Sequence, residues 1–418
     1  MTDQKTLDTA KIMVDFNQMK SFGQDPLIIE RGVGVRVWDV FGKEYIDGLS
    51  GVFTVNLGHG IAQFADVAAE QMRTLAFSAP TMSTNPPALK LASLLSDITP
   101  SQFNTVKFAS GGSEANEFAI KMARQYHAQT GNPRKYKVIS RWGSYHGSTG
   151  FAGAASAQPE WKSKYDPYPE GFIHVPRRTP EDIEEAILGE NPESIAAVIA
   201  EPVMFSAGVR VPDPDYFPRL REICDKYNVL LIHDEIITGF GRTGHLFASE
   251  LVGAWPDIFS CGKGISGGYA PLAAIVINDK VAEAFWGDPS QGIQFLSGHT
   301  FGGNPVACAV GESVVRYLLD NDVVGNAVTV GNYLADGLRD LADRQSTIAE
   351  VRGVGMLRGL IFHEEIGRQV YSACRRNGLL TRPAHDWIGV APPLVTTEQE
   401  ADEIIAIIEK SIPEALAG

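Results

Sequence analysis

Residues 228–269 read NVLLIHDEIITGFGRTGHLFASELVGAWPDIFSCGKGISGGY. The opening apolar run, Val229-Leu230-Leu231-Ile232, has the character of a strand buried on both faces of a parallel sheet. It ends on the polar pair Asp234-Glu235, at the sheet edge where α/β proteins hold their ligands. A second short strand, 257–261, delivers Lys263 between Gly262 and Gly264, and glycines there allow close approach of backbone to a bound group. Two neighbouring strand ends can therefore present a carboxylate and an amine to one pocket. A carboxylate facing a ring nitrogen, with a lysine that forms an imine, is the pair that pyridoxal phosphate chemistry needs. Taken alone, Lys263 reads equally well as a surface amine.

Working outward, short apolar strands alternate with helical segments. Residues 106–110, 137–141, 195–203, 228–236, 257–261 and 272–278 form the series, and a helix is expected from Ser113 to about Gln129. That alternation predicts βαβ units, an α/β fold with a mostly parallel central sheet flanked by helices. Before it lie an arm with a short helix and a strand-like stretch with turns at Arg31-Gly32 and Phe41-Gly42-Lys43. After it come a long helical region over 304–344, a strand pair at 348–362, a helix over 365–377, and a last helix opened by the capping box Thr397-x-x-Glu400. The expected division is an N-terminal arm and part of a small domain (1–55), a large domain (56–297), and a C-terminal part of the small α+β domain (298–418).

The chain has 418 residues, too many for one ordinary compact domain, and a formal net charge of −14, which argues against nucleic-acid or anionic-membrane partners. Its four cysteines are far apart with no C-x-x-C, which speaks against a zinc site or a disulfide framework, so no metal is expected. The first twenty residues lack the apolar core of a signal peptide, and no apolar run approaches a membrane span. A cytoplasmic location is the expectation.

Further motifs lie at strand ends. Ser110-Gly111-Gly112-Ser113 sits between a strand and a helix, where free N–H groups and the helix dipole suit a phosphate; an ordinary glycine turn with Ser113 as cap reads as well. Tyr145, in Tyr145-His146-Gly147, can stack on a flat ring or serve as core, and Glu201 can orient a ring substituent or simply face solvent. Gly239-Phe240-Gly241-Arg242-Thr243-Gly244 matches the dinucleotide fingerprint literally. A nicotinamide enzyme, however, wants an acid at the end of the next strand, and here that strand leads to Lys263. His59, His146, His233 and His299 are scattered over loops and strand ends, where backbone hydrogen bonding or packing is the plain expectation.

In this order, SGGSEAN (110–116), YHG (145–147), AEPV (200–203), HDEIITGFGRTG (233–244), PDIFSCGKGISGGYAPLAA (256–274) and GHTFGGNPVACA (298–309) resemble the class III, fold-type I, pyridoxal-phosphate-dependent aminotransferases. The resemblance implies that Lys263 binds the cofactor covalently and shuttles the proton, and that Asp234 pairs with the pyridinium nitrogen. It assigns the phosphate to Gly112 and Ser113, the two ring faces to Tyr145 and Ile236, and a supporting role to Glu201. Thr300 is expected to reach the cofactor of a neighbouring subunit, which implies a homodimer, alone or paired into a tetramer.

The 4-aminobutyrate and ornithine branches of that family carry EPVQGEGG, an Arg after YHG and a Gln in DEVQ. Here Ser206 replaces the second carboxylate, Ser148 follows YHG, and Ile237 stands for the Gln. The resemblance is therefore to the ω-amino acid or amine:pyruvate branch. In that branch an Arg before Pro near the C-terminus (Arg382-Pro383, then Pro392-Pro393) binds or releases a substrate carboxylate, and an aromatic wall falls at Phe53, with Trp142 as a further substrate candidate. The expected activity is transfer of an amino group from an ω-amino acid or primary amine to pyruvate. A 4-aminobutyrate or diamine:2-oxoglutarate aminotransferase, a glutamate-1-semialdehyde type aminomutase and, remotely, a dehydrogenase are the alternatives.

Overall fold

The structure is a computed structural model that describes residues 8–417. The beginning of the expected arm, residues 1–7, lies outside the described residues. The rest of the arm is a 3₁₀ turn, Thr9–Lys11, and a short helix, Met19–Gln24. Strands β1 (Ile29–Val33), β2 (Arg36–Asp39) and β3 (Glu44–Ile46) follow as an antiparallel sheet.

The central sheet contains β4 (Thr105–Ala109), β5 (Lys137–Arg141), β6 (Phe172–Val175), β7 (Ile195–Ala200), β8 (Leu230–Glu235), β9 (Ile258–Cys261) and β10 (Ala273–Ile277). Their order is β4-β10-β9-β8-β7-β5-β6. Strands β9, β8, β7, β5 and β6 pair in parallel, while β10 runs antiparallel to both of its neighbours. A parallel return from β9 to β10 needs a crossover of a dozen or more residues, and residues 262–272 are too few for one. Strand β6 was not among the strands expected from sequence, because its four residues form a short edge between Gly171 and Pro176. Side chains of β8 alternate between two layers. Leu230 and Ile232 pack with Phe118 and Met122 of helix Gly112–Gln129; Val229 and Leu231 pack with Phe217 and Leu220 of helix Tyr216–Lys226.

The C-terminal sheet, β11 (Ile348–Val354), β12 (Leu357–Phe362), β13 (Arg382–Pro383) and β14 (Trp387–Val390), has the order β11-β12-β14-β13. Helices Gly367–Arg376 and Glu398–Ala417 pack together beside it, and the Thr397–Glu400 capping box is formed. The first sheet joins this unit: Leu380 N–H donates to Ile46 O at 3.0 Å and Ala391 N–H to Gly48 O at 2.7 Å. The region expected as one long helix is two, Pro305–Asp320 and Val323–Arg344, broken where Asp322 turns left-handed at φ 48°. Pro305–Asp320 packs on Ala62–Thr74 and Pro86–Asp97, tying the beginning of the 298–418 segment to helices that precede the central sheet in the chain.

The GFGRTG segment opens no helix; it is a run of turns whose Arg242 is fully buried. The guanidinium donates to Pro392 O at 2.5 Å, Asn56 Oδ1 at 2.5 Å and Ser50 Oγ at 3.1 Å, while Met356 N–H donates to Arg242 O at 3.0 Å. Burial lowers its pKa to about 9, opposed by the charge of Asp47. One side chain thus clamps three distant parts of the chain. Arg242→Met leaves those acceptors buried without donors and is expected to lower stability by about 2–4 kcal/mol in urea denaturation. A loss below about 0.5 kcal/mol, the range of an ordinary surface change, would remove the clamp from the account.

Candidate active site

Strands β5, β7 and β8 and the N-terminus of helix Gly112–Gln129 converge on one cavity of about 210 Å³. Its lining includes Gly112, Ser113, Tyr145, Glu201, Asp234, Ile236 and Lys263, so these seven expected residues meet in one place. Asn116, His146, Gly147 and Ile237 complete it.

Alternation on β8 separates its two terminal acids. Glu235 points away and is held by Thr238 Oγ1 at 2.5 Å, Ala248 N–H at 3.0 Å, and the Ser249 N–H and hydroxyl at 2.6 and 2.8 Å. Asp234, 5% exposed, faces the cavity. Its Oδ2 accepts from Asn116 Nδ2 and His146 Nδ1, each at 2.8 Å, and its Oδ1 accepts from Ile236 N–H at 3.1 Å. A carboxylate only accepts, so His146 carries a proton on Nδ1. Burial pushes the Asp234 pKa up, but the hydrogen bond and charge of His146, the Ile236 N–H and the Asn116 amide outweigh it and leave the pKa below its ordinary value.

Lys263 follows β9 with its backbone in the left-handed region, φ 46°, a strain of about 1–3 kcal/mol that surrounding structure must hold. Its flanking glycines have packing reasons. A Cβ on Gly262 would lie 3.0 Å from Ile236 Cδ1, and one on Gly264 would collide with the Asn56 amide. Burial lowers the Lys263 pKa to about 8, with Asp234 and Glu201 pulling it back up and Arg382 pushing it further down. Burial also raises Glu201 to about 7, partly offset by His146, while one of its oxygens accepts from Tyr145 N–H at 3.1 Å.

These residues fit pyridoxal phosphate. Helix Gly112–Gln129 directs its first N–H groups and the Ser113 hydroxyl toward the cavity end. Gly112 lies so close to Ile236 that a Cβ would sit 2.9 Å from its Cγ2, and a Cβ on Gly147 would sit 2.6 Å from Ser113 Oγ. Asn116 Oδ1 and His146 Nε2, both buried, have no hydrogen-bond partner. An ionised carboxylate for a protonated ring nitrogen, a neutralisable amine and an anion cradle are together in one cavity.

Beside the cavity lies an apolar wall. The Phe53 ring centre is 5.8 Å from Lys263 Nζ, Phe53 and Phe205 are 4.4 Å apart, and Phe205 and Trp387 are 5.5 Å apart. The Arg382 guanidinium stands 6.0 Å from the Phe205 ring. Phe53 and Arg382 are therefore at the site. Trp142 is not: it is 43% exposed, its N–H donates to Val175 O at 2.8 Å, and its ring lies 5.1 Å from His174 on the β6 edge. Continuing the strand pairing carries its side chain outward. Thr300 is exposed and outside the cavity lining of its own chain.

His146, Asn116, Phe205 and Trp387 were not singled out for these positions. Asn116 carried a signal: it falls three residues after Ser113, hence on the same helix face. His146 sits inside a quoted motif, but its bond to Asp234 spans 88 residues.

Residues 19–412 match the class III aminotransferase family. The chain is 34% identical to a putrescine–pyruvate aminotransferase of Pseudomonas aeruginosa, over 97% of this chain and 94% of the relative. It is also 34% identical to a mitochondrial gamma-aminobutyrate transaminase of Oryza sativa, over 91% of this chain and 80% of the relative. Its fold is similar to an (S)-enantioselective omega-transaminase from Thermomicrobium roseum, with TM-score 0.94 and 35% identity over 98% and 97% of the two chains. An omega-transaminase from Pseudomonas jessenii in complex with PMP superposes with TM-score 0.94 and 31% identity over 98% and 97%. With matches along nearly its full length and a cavity of matching chemistry, the chain belongs to the class III aminotransferases, pyridoxal-phosphate-dependent enzymes of fold type I.

Proposed function

We propose that the enzyme moves the amino group of an ω-amino acid or primary amine to pyruvate. The observation that carries this reading is the placement of Arg382 beside an apolar wall of Phe53, Phe205 and Trp387, next to Lys263. The name of the Pseudomonas aeruginosa relative pairs a diamine with pyruvate, in support. The absence of a second carboxylate at Ser206 argues in the same direction.

Bound pyridoxal phosphate supplies an aldehyde for amines and a ring that takes up the electron pair of a deprotonated donor carbon. Asp234 stabilises the proton on the ring nitrogen, and His146 and Asn116 hold that carboxylate in place and ionised. Lys263 would anchor the cofactor through its amine and would move the proton at the donor carbon. Ser113 and the helix N-terminus bind phosphate, Tyr145 and Ile236 bracket the ring, and Glu201 positions Tyr145 through its backbone. Arg382 pairs with a carboxylate when the substrate has one and withdraws when it has none. Thr300 completes the phosphate site of a partner subunit in a homodimer, and the four buried free cysteines suit a reducing cytoplasm.

A donor panel of β-alanine, putrescine and a hydrophobic monoamine, run with pyruvate and with 2-oxoglutarate, tests the reading. Pyruvate is expected to give the higher kcat/KM; a preference for 2-oxoglutarate would overturn it. In Arg382→Leu, loss of a charge-assisted pair is expected to lower kcat/KM for β-alanine about 10- to 100-fold in the donor half-reaction, leaving the monoamine within about threefold. Equal losses would exclude a carboxylate-specific role. Only the neutral Lys263 amine can attack the cofactor aldehyde, so covalent capture of added cofactor by the apoenzyme should accelerate as pH rises through about 8. A rate flat across that range, followed by the growth of visible absorbance, would contradict the lowered pKa.

A further inference from the structure

Residues 201–210 contribute Glu201 to the cofactor cavity and Pro202, Met204 and Arg210 to a separate cleft of about 780 Å³. The cleft's lining carries five guanidinium groups, from Arg141, Arg177, Arg178, Arg210 and Arg352, against two carboxylates, Asp213 and Glu350. This concentration of positive charge occurs in a chain of net charge −14. Its neutralisation is uneven. Glu350 pairs with Arg352, and Asp182 with Arg178 at 3.1 Å. Arg141 Nη2 donates to Glu201 O at 2.5 Å, Arg177 Nη1 to Trp142 O at 3.0 Å and Arg210 Nε to Ala207 O at 3.2 Å. Carbonyl partners orient these three guanidiniums without cancelling their charge. Burial lowers the pKa of Arg210, and the charges of Arg352 and Arg177 lower it further, against Glu350 and Asp386.

Geometry keeps the arginines together. Met204 and Arg210 exchange two backbone hydrogen bonds of 3.0 Å, closing a tight hairpin turned by Gly208 at φ 85°. Arg352 Nη1 lies 3.4 Å from where a Gly208 Cβ would stand, and Arg177 Nη1 lies 3.2 Å from the corresponding point on Gly143. The exposed ring of Trp142 adds an apolar wall to the same cleft. A cavity of this size suits a small molecule, and guanidinium groups bind phosphate and carboxylate through paired N–H donors.

We propose that this cleft binds a small organic anion with at least two negative charges, a phosphate ester or a polycarboxylate, held by Arg177 and Arg210 with its apolar part against Trp142. The site is distinct from the cofactor cavity and does not depend on which amine or keto acid the enzyme prefers. Calorimetric titration of the holoenzyme with AMP, citrate and inorganic phosphate tests it. The filled cofactor site removes the competing phosphate position. At least one of AMP and citrate is expected to bind saturably, more tightly than inorganic phosphate, and which one binds identifies the anionic group. The double variant Arg177→Gln/Arg210→Gln is expected to weaken that binding by about tenfold or more, with cofactor absorbance and kcat unchanged. Absence of saturable binding by both AMP and citrate would overturn the proposal, as would undiminished binding by the double variant.

Discussion

The structure depends on a carboxylate taken out of water at the end of a central strand. An ionised Asp234 in this position is tolerated only because donors from separate elements surround it: Asn116 from the helix, His146 from the loop after β5, and the Ile236 N–H from the turn that follows β8. Meeting that requirement brings the helix N-terminus and the 145–147 loop to the same strand end. The Gly112-Ser113 turn, the tyrosine and the ionised carboxylate are thereby set in one cavity. Solvation of one carboxylate and assembly of the cavity are the same structural event.

The amine side of the site follows a different logic. Lys263 is held left-handed between two glycines that neighbours crowd, so packing against Ile236 and Asn56 determines the local backbone. Low solvation then lowers its pKa, and the charge of Arg382 adds to the effect. Phe53 reaches the same place through an unusual turn in which Ser50, Gly51, Val52 and Phe53 all have positive φ. Such strain persists because the turn is pinned: Ser50 Oγ donates to Ala391 O at 2.6 Å, Gly51 N–H to Asp47 Oδ1 at 3.0 Å, and Arg242 to Ser50 Oγ. The buried arginine therefore links the packing of distant segments to the shape of the apolar wall beside the cavity.

Acidic overall composition conceals a local field of opposite sign. The arginine cleft and the cavity around Asp234 share residues 201–210, yet three of the cleft's five guanidiniums, those of Arg141, Arg177 and Arg210, lean on carbonyls where paired carboxylates would otherwise be expected. Net charge describes solubility and long-range attraction; it does not describe a cleft, where a few oriented cations dominate the potential.

Local sequence was enough to locate the strands that end at Asp234 and precede Lys263, the helix beginning at Gly112, and the glycine-bounded turns between them. Apolar periodicity and turn chemistry act over a few residues, so they are written in the order of the chain. The partners of those residues are set otherwise. His146 meets Asp234 across 88 residues, Arg242 meets Pro392 across 150, and Trp142 faces outward because the ladder with β6 carries it there. The reversal of β10 and the break at Asp322 likewise follow from connection length and packing. Periodicity determines which residues form an element and which of its faces is apolar. Only the folded chain decides which distant donor stands opposite a buried acceptor, because desolvation penalises every polar group left without a partner.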